Sequence, residues 1–98
     1  MQALSTDALQ VALEQLEGWI IQDAALEKNF LFADFRQAMA FLNAVAEVAE
    51  QMQHHPDIWN VYNNVRLRLH THDAQAITQL DVQLAQAINN LSASFITP

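Results

Sequence analysis

Apolar residues along the chain first recur with a helical period: Leu9, Ala12, Leu13 and Leu16 fall on one face of an amphipathic helix. Ser5 or Thr6 can cap its start, Asp7 lies in its first turn and Gly18 is placed to end it. The period then changes to two. Trp19-Ile20-Ile21 and residues 26–32 read as strands, the second alternating Leu26, Lys28, Phe30 and Phe32 against Glu27, Asn29 and Leu31. Asp23-Ala24-Ala25 is the expected turn between them.

Beyond Asp34, whose spacing to Gln37 resembles a capping box, Phe35, Ala38, Leu42, Val45, Ala49 and Met52 recur at steps of three and four. This pattern predicts the longest helix. Phe41 and Val48 add a second apolar line, which suits either a fully packed core helix or a helix shared between the sheet and a second subunit. Pro56 disfavours a helical His55, so the helix should end near Gln53 or His54. Trp59-Asn60-Val61-Tyr62 and Val65-Arg66-Leu67-Arg68-Leu69 flank Asn63-Asn64, the expected hairpin turn. Thr78, with Asp81 three residues on, opens a last helix carrying Leu80, Leu84, Ala87, Ile88 and Leu91. The order helix, strand, strand, helix, strand, strand, helix predicts an α+β fold, a small four-stranded antiparallel sheet with three helices on one face.

Composition narrows the function. Ninety-eight residues, 52% of them hydrophobic, suit one domain spanning 1–98. The absence of cysteine excludes disulfides, thiolate metal sites and a cysteine nucleophile. With a formal charge of −7 and only Lys28, Arg36, Arg66 and Arg68 as fixed cations, neither nucleic acid nor an anionic membrane is an expected partner. A single glycine leaves no glycine-rich phosphate cradle. No stretch suits a signal peptide or a membrane span, so a soluble cytoplasmic protein is expected.

All four histidines lie between Glu50 and Asp73. Imidazole, with an unperturbed pKa of about 6.5, both gives and takes a proton near neutrality, so the cluster suits general acid–base catalysis. Glu50 precedes His54 by four residues, a spacing that on a helix sets carboxylate and ring on one face, with Glu50 holding His54 as a proton donor. His55 diverges as the chain leaves the helix. His72 shares strand parity with Arg66, Arg68 and His70 if the strand runs that far. His70-x-His72 could chelate a metal with His54 or His55 and Asp57 or Asp73, but such spacing is common by chance and no metal is expected. Trp59 and Tyr62 suit either a hairpin core or the flat walls of an aromatic ligand site.

Taken together, Glu50-x-x-x-His54-His55-Pro56-x-x-Trp59-Asn60-Val61-Tyr62-Asn63-x-Val65, then Thr71-His72-Asp73 and Asp81, resembles the pterin-4a-carbinolamine dehydratase family. Length, the Gly18-Trp19 junction, Phe32-x-Asp34-Phe35 and the order of elements are similar throughout. The resemblance implies a hydro-lyase that removes water from 4a-hydroxytetrahydropterin to give quinonoid dihydropterin, in tetrahydrobiopterin recycling. It implies His54, His55 and His72 as catalytic residues, and Glu50, His54, His55, Pro56, Trp59, Thr71, His72, Asp73 and Ala74 at the pterin. One imidazolium would protonate the departing hydroxyl while another imidazole takes the ring-nitrogen proton. No cofactor is implied beyond the pterin substrate, and the expected assembly is a homodimer or homotetramer. The rival from another class is a non-catalytic interaction module built on the sheet edge and the long helix.

Overall fold

The computed structural model describes residues 2–95. Its elements run α1 (Thr6–Glu14), β1 (Ile20–Gln22), β2 (Ala25–Leu31), α2 (Phe35–Met52), β3 (Asp57–Val61), β4 (Asn64–Leu69) and α3 (Gln79–Ser92). The strands form one antiparallel sheet in the order β1-β2-β4-β3. The α+β order predicted from periodicity is the order found.

Register explains the two sheet faces. Leu26 lies opposite Leu69 and Phe30 opposite Val65, so Leu26, Phe30, Val65, Leu67 and Leu69 point to one side. There they are buried against Ala38, Phe41, Leu42 and Val45 of α2 and Leu84, Ala85 and Ile88 of α3. Burying this apolar surface is the main drive for assembly. The opposite face carries Glu27, Arg66, Arg68 and Trp59 and is not covered by any described helix.

Two expectations are corrected in the hairpins and in α2. The β3–β4 turn is Tyr62-Asn63, one residue earlier than Asn63-Asn64, and Tyr62 takes the positive φ of 52°. Asn64 is committed to the sheet opposite both Val61 and Leu31. Asn63 is tied instead to Phe32, whose N–H donates to its carbonyl at 2.9 Å and whose carbonyl accepts from its side chain at 2.8 Å. In α2, Phe41 follows the packed-core reading of the two. It is fully buried, 4.8 Å from the Phe32 ring and 4.9 Å from that of Phe30. The core stripe is Ala38, Phe41, Leu42, Val45 and Ala49, so the face turned to the sheet lies between the two lines seen in the sequence. Phe35, assigned to the stripe, is 47% exposed instead.

Asn89 ties α3 to the first half of the chain. Its Oδ1 accepts from Trp19 Nε1 and from Lys28 Nζ, each at 2.9 Å. Gly18, at φ 84°, passes under the Lys28 side chain, where an added Cβ would stand 2.7 Å from Lys28 Cε. Burial holds the Lys28 ammonium below the ordinary lysine value of 10.5, with the Glu17 carboxylate opposing that shift.

Candidate active site

The site is made where α2 stops. Gln53 adopts a left-handed conformation, φ 52°, and its N–H turns back to the carbonyls of Ala49 and Glu50. The His54 N–H also returns to Ala49, at 3.0 Å. This closes the last helical turn and throws the two following rings in different directions.

His54 turns inward. Its Nε2 lies 2.5 Å from Oδ1 of Asp81, with the His54 side chain 11% exposed and Asp81 fully buried. His55 turns outward, its Nε2 2.5 Å from Oε2 of Glu50, both side chains well exposed. The expected Glu50–His54 pair is therefore not formed. A four-residue spacing aligns side chains only while the helix continues, and the left-handed Gln53 ends it first; the ring five positions on swings back to Glu50.

Asp81 sits at the N-terminus of α3, where backbone N–H groups favour an anion. Oδ2 accepts from the Thr78 N–H at 2.8 Å, closing the predicted capping box, and from Thr71 Oγ1 at 2.9 Å. Thr71 Oγ1 stands 2.7 Å from Thr78 Oγ1, which also accepts from the Leu80 N–H at 3.3 Å. A carboxylate surrounded by donors can be buried without the cost of a bare charge. Because a carboxylate has no proton to give, His54 Nε2 is the donor to Asp81 and Nδ1 is its remaining exchangeable position.

The third histidine comes from the chain that leaves β4, the strand paired with β3. β4 ends at Leu69, earlier than the His72 parity argument required, and Thr71 then pairs with Ala76 as an isolated bridge. His72 and Asp73 occupy the exposed turn that this bridge closes. Gln53, His54, His55, Thr71, His72, Asp73 and Leu80 line one open cleft of about 280 Å³. That is near the lower end of small-molecule sites. Among the predicted residues, Glu50 reaches the cleft through His55, while Pro56 and Ala74 adjoin it in sequence without lining it. Trp59 is elsewhere. It lies on the uncovered sheet face, its ring 4.6 Å from the Arg66 guanidinium, because strand alternation sets it opposite Arg66.

The sequence placed Asp81 at the helix cap and in the motif of the resemblance, without a role at the histidines. Its signal was chemical: a capping box occupies one carboxylate oxygen, and a buried second oxygen requires another donor. Thr78 and Leu80 enter the site through the same turn.

Fold and cleft together define a small α+β protein with an open cleft on which two of three histidines are anchored by carboxylates. Residues 2–91 match the family model for pterin 4 alpha carbinolamine dehydratase. A relative from Sulfurisphaera tokodaii is 44% identical over 93% of this chain and 98% of its own length. One from Thermomicrobium roseum is 43% identical over 95% of this chain and all of its own. Both are provisionally named pterin-4-alpha-carbinolamine dehydratases. A crystal structure of a transcriptional coactivator/pterin dehydratase from Brucella melitensis superposes with a TM-score of 0.89 at 35% identity, covering 92% of this chain and 98% of that one. A pterin dehydratase-like protein described as a RuBisCO assembly factor in the alpha-carboxysome gives 0.69 at 26% identity, covering 80% and 93%. The chain belongs to the pterin 4 alpha carbinolamine dehydratase family.

Proposed function

We propose that the chain dehydrates 4a-hydroxytetrahydropterin to quinonoid dihydropterin by histidine acid–base catalysis, in the recycling of tetrahydrobiopterin. One imidazolium gives its proton to the 4a-hydroxyl as the carbon–oxygen bond breaks and water departs. An imidazole accepts the proton of the adjacent ring nitrogen, whose electron pair closes the new carbon–nitrogen double bond. Proton transfers of this kind contribute about 10²–10⁴ in rate. The observation that supports this most is the gathering of His54, His55 and His72 on one cleft, two of them held by carboxylates. Asp81 positions His54 through Nε2, leaving Nδ1 to exchange a proton. Asp73, exposed on its turn, offers a carboxylate for the amino-pyrimidine edge, while the Thr71 hydroxyl is already held by Asp81 and Thr78. Following the disappearance of the carbinolamine by absorbance, with purified protein and a synthetic pterin carbinolamine, tests the proposal. No acceleration over the uncatalysed reaction would sink it.

A homodimer or homotetramer is part of the same reading. Phe35 and Met39 on α2, and Ile58, Trp59 and Val61 on the edge strand β3, are large apolar side chains left exposed. Those surfaces equally favour a second reading, an interaction module without catalysis, as the assembly-factor description of one structural neighbour suggests for that protein. Light scattering at micromolar concentration tests assembly, with a monomer as the result against it; the dehydration assay separates module from enzyme.

A further inference from the structure

Asp57 and His70 take no part in the chemistry just described, yet they converge on His72. Asp57 opens β3, His70 follows the last residue of β4, and His72 lies two residues on. Asp57 stands opposite Arg68 in the register, so His70, two residues beyond Arg68, comes up beside it on the uncovered face. One ligand atom from each of the three residues lies within 4.8 Å of the other two. His70 Nε2 is 3.6 Å from Asp57 Oδ2, too long for a hydrogen bond. Tetrahedral zinc, with bonds of about 2.0–2.2 Å, sets its ligand atoms about 3.4 Å apart. The Asp57–His70 separation already suits that spacing. His72, exposed on its turn with its ring centroid 4.3 Å from that of His70, has at most about 1.4 Å to close in to meet it.

The neighbouring charge does not forbid a cation. Arg68 lines the same hollow with His70, His72 and Gln75, but its guanidinium donates to Glu27 at 2.8 Å and to the Gln22 carbonyl at 3.2 Å. Two imidazoles and one carboxylate, open to water, are donors of the borderline type that Zn²⁺, Ni²⁺ and Co²⁺ accept.

We infer that Asp57, His70 and His72 form a binding site for a divalent transition-metal cation, and that its occupation withdraws His72 from the histidine cleft and stops dehydration. His72 borders both hollows, the one with His70 and the one with His54 and His55. A neutral imidazole has one lone pair, and a cation that takes it leaves none to accept a proton in the cleft. The inhibitory half rests on the proposed function; the binding half does not.

Tag-free protein titrated with ZnCl₂ by calorimetry should show one saturable site, weakened at least tenfold in His70→Ala and in Asp57→Asn. With CoCl₂ the wild type should develop a visible d–d band that His70→Ala lacks. Dehydration by the wild type should fall as Zn²⁺ saturates that site, while His70→Ala, with unchanged metal-free activity, should keep its rate at the same Zn²⁺ concentration. No saturable binding, or equal affinity in wild type and both variants, overturns the site. Binding without loss of rate, or inhibition that persists undiminished in His70→Ala, overturns the withdrawal of His72. A metal-free wild type without dehydratase activity would sink the proposed function alone, since calorimetry and the cobalt band still decide the site.

Discussion

His54 Nε2 and Asp81 Oδ1 stand 2.5 Å apart across 27 residues of chain, joining the end of α2 to the beginning of α3. Asp81→Asn keeps the volume and replaces an acceptor by a donor on one side of the residue. The His54 ring or the Thr71–Thr78 pair then loses an acceptor in a buried place. The expected outcome is a loss of roughly 1–3 kcal/mol of stability in denaturant unfolding, together with at least a tenfold drop in dehydration rate. A full rate in a folded Asp81→Asn protein would show that His54 does not need its carboxylate.

His55 and His72 carry no such structural burden, for both are exposed on their turns. His55→Ala and His72→Ala should each lower dehydration at least tenfold, with thermal unfolding shifted by no more than a few degrees. Unchanged rates in both would remove them from the reaction.

Glu50 acts on the ring five positions on. In Glu50→Gln the imidazole NMR signals of His55 should move while those of His54 stay in place, and stability should hardly change because the pair is exposed. If His54 responds instead, the helix runs one residue further in solution than Gln53 allows.

Lys28 gives a dependence on pH with a defined sign. Its native ammonium releases its proton below 10.5, chiefly because it is buried, whereas the unfolded chain holds that proton up to the ordinary value. Between the two values the unfolded state binds more protons, so stability contributed at this position rises with pH; below both, the cost of burying the charge is present in full. The difference in urea midpoint between wild type and Lys28→Met should therefore shift in favour of the wild type as pH climbs toward 10.5. A difference that stays flat across that range would argue that Lys28 is as hydrated folded as unfolded.

Periodicity made the architecture legible, because α2, α3 and the β2 alternation each bury a face whose spacing is written in the apolar residues. It left Phe41 between a packed core and a subunit contact because two adjacent apolar lines do not say where the centre of the buried face falls. His54, His55 and His72 were legible as a set through the family resemblance, whose motif takes them in and leaves out the neighbouring His70. Their partners were not. Glu50 and Asp81 were assigned by local spacing, but one left-handed residue, Gln53, decides which ring each carboxylate meets, and sequence gives no advance sign that a glutamine will adopt it. Trp59 was set beside the histidines by the resemblance, while strand alternation places it opposite Arg66 on the uncovered face.

The chain reverses with almost no glycine. Among the described residues, Asp23, Ala24, Gln53, Tyr62 and Gln75 all occupy positive φ, alongside Gly18. Every such side chain sets Cβ against the backbone, at about 1–2 kcal/mol for an ordinary residue. The scaffold therefore holds unused stability that can be released without touching its core. Ala24, at φ 62° in the β1–β2 turn, does not line the histidine cleft, though it borders the hollow of His70 and His72, and it has no polar side chain to compensate it. Ala24→Gly should raise the melting temperature by a few degrees, less the entropy that glycine adds to the unfolded chain; a lower melting temperature would mean that this entropy outweighs the relief. A thermostable form of this protein would be sought first in its turns.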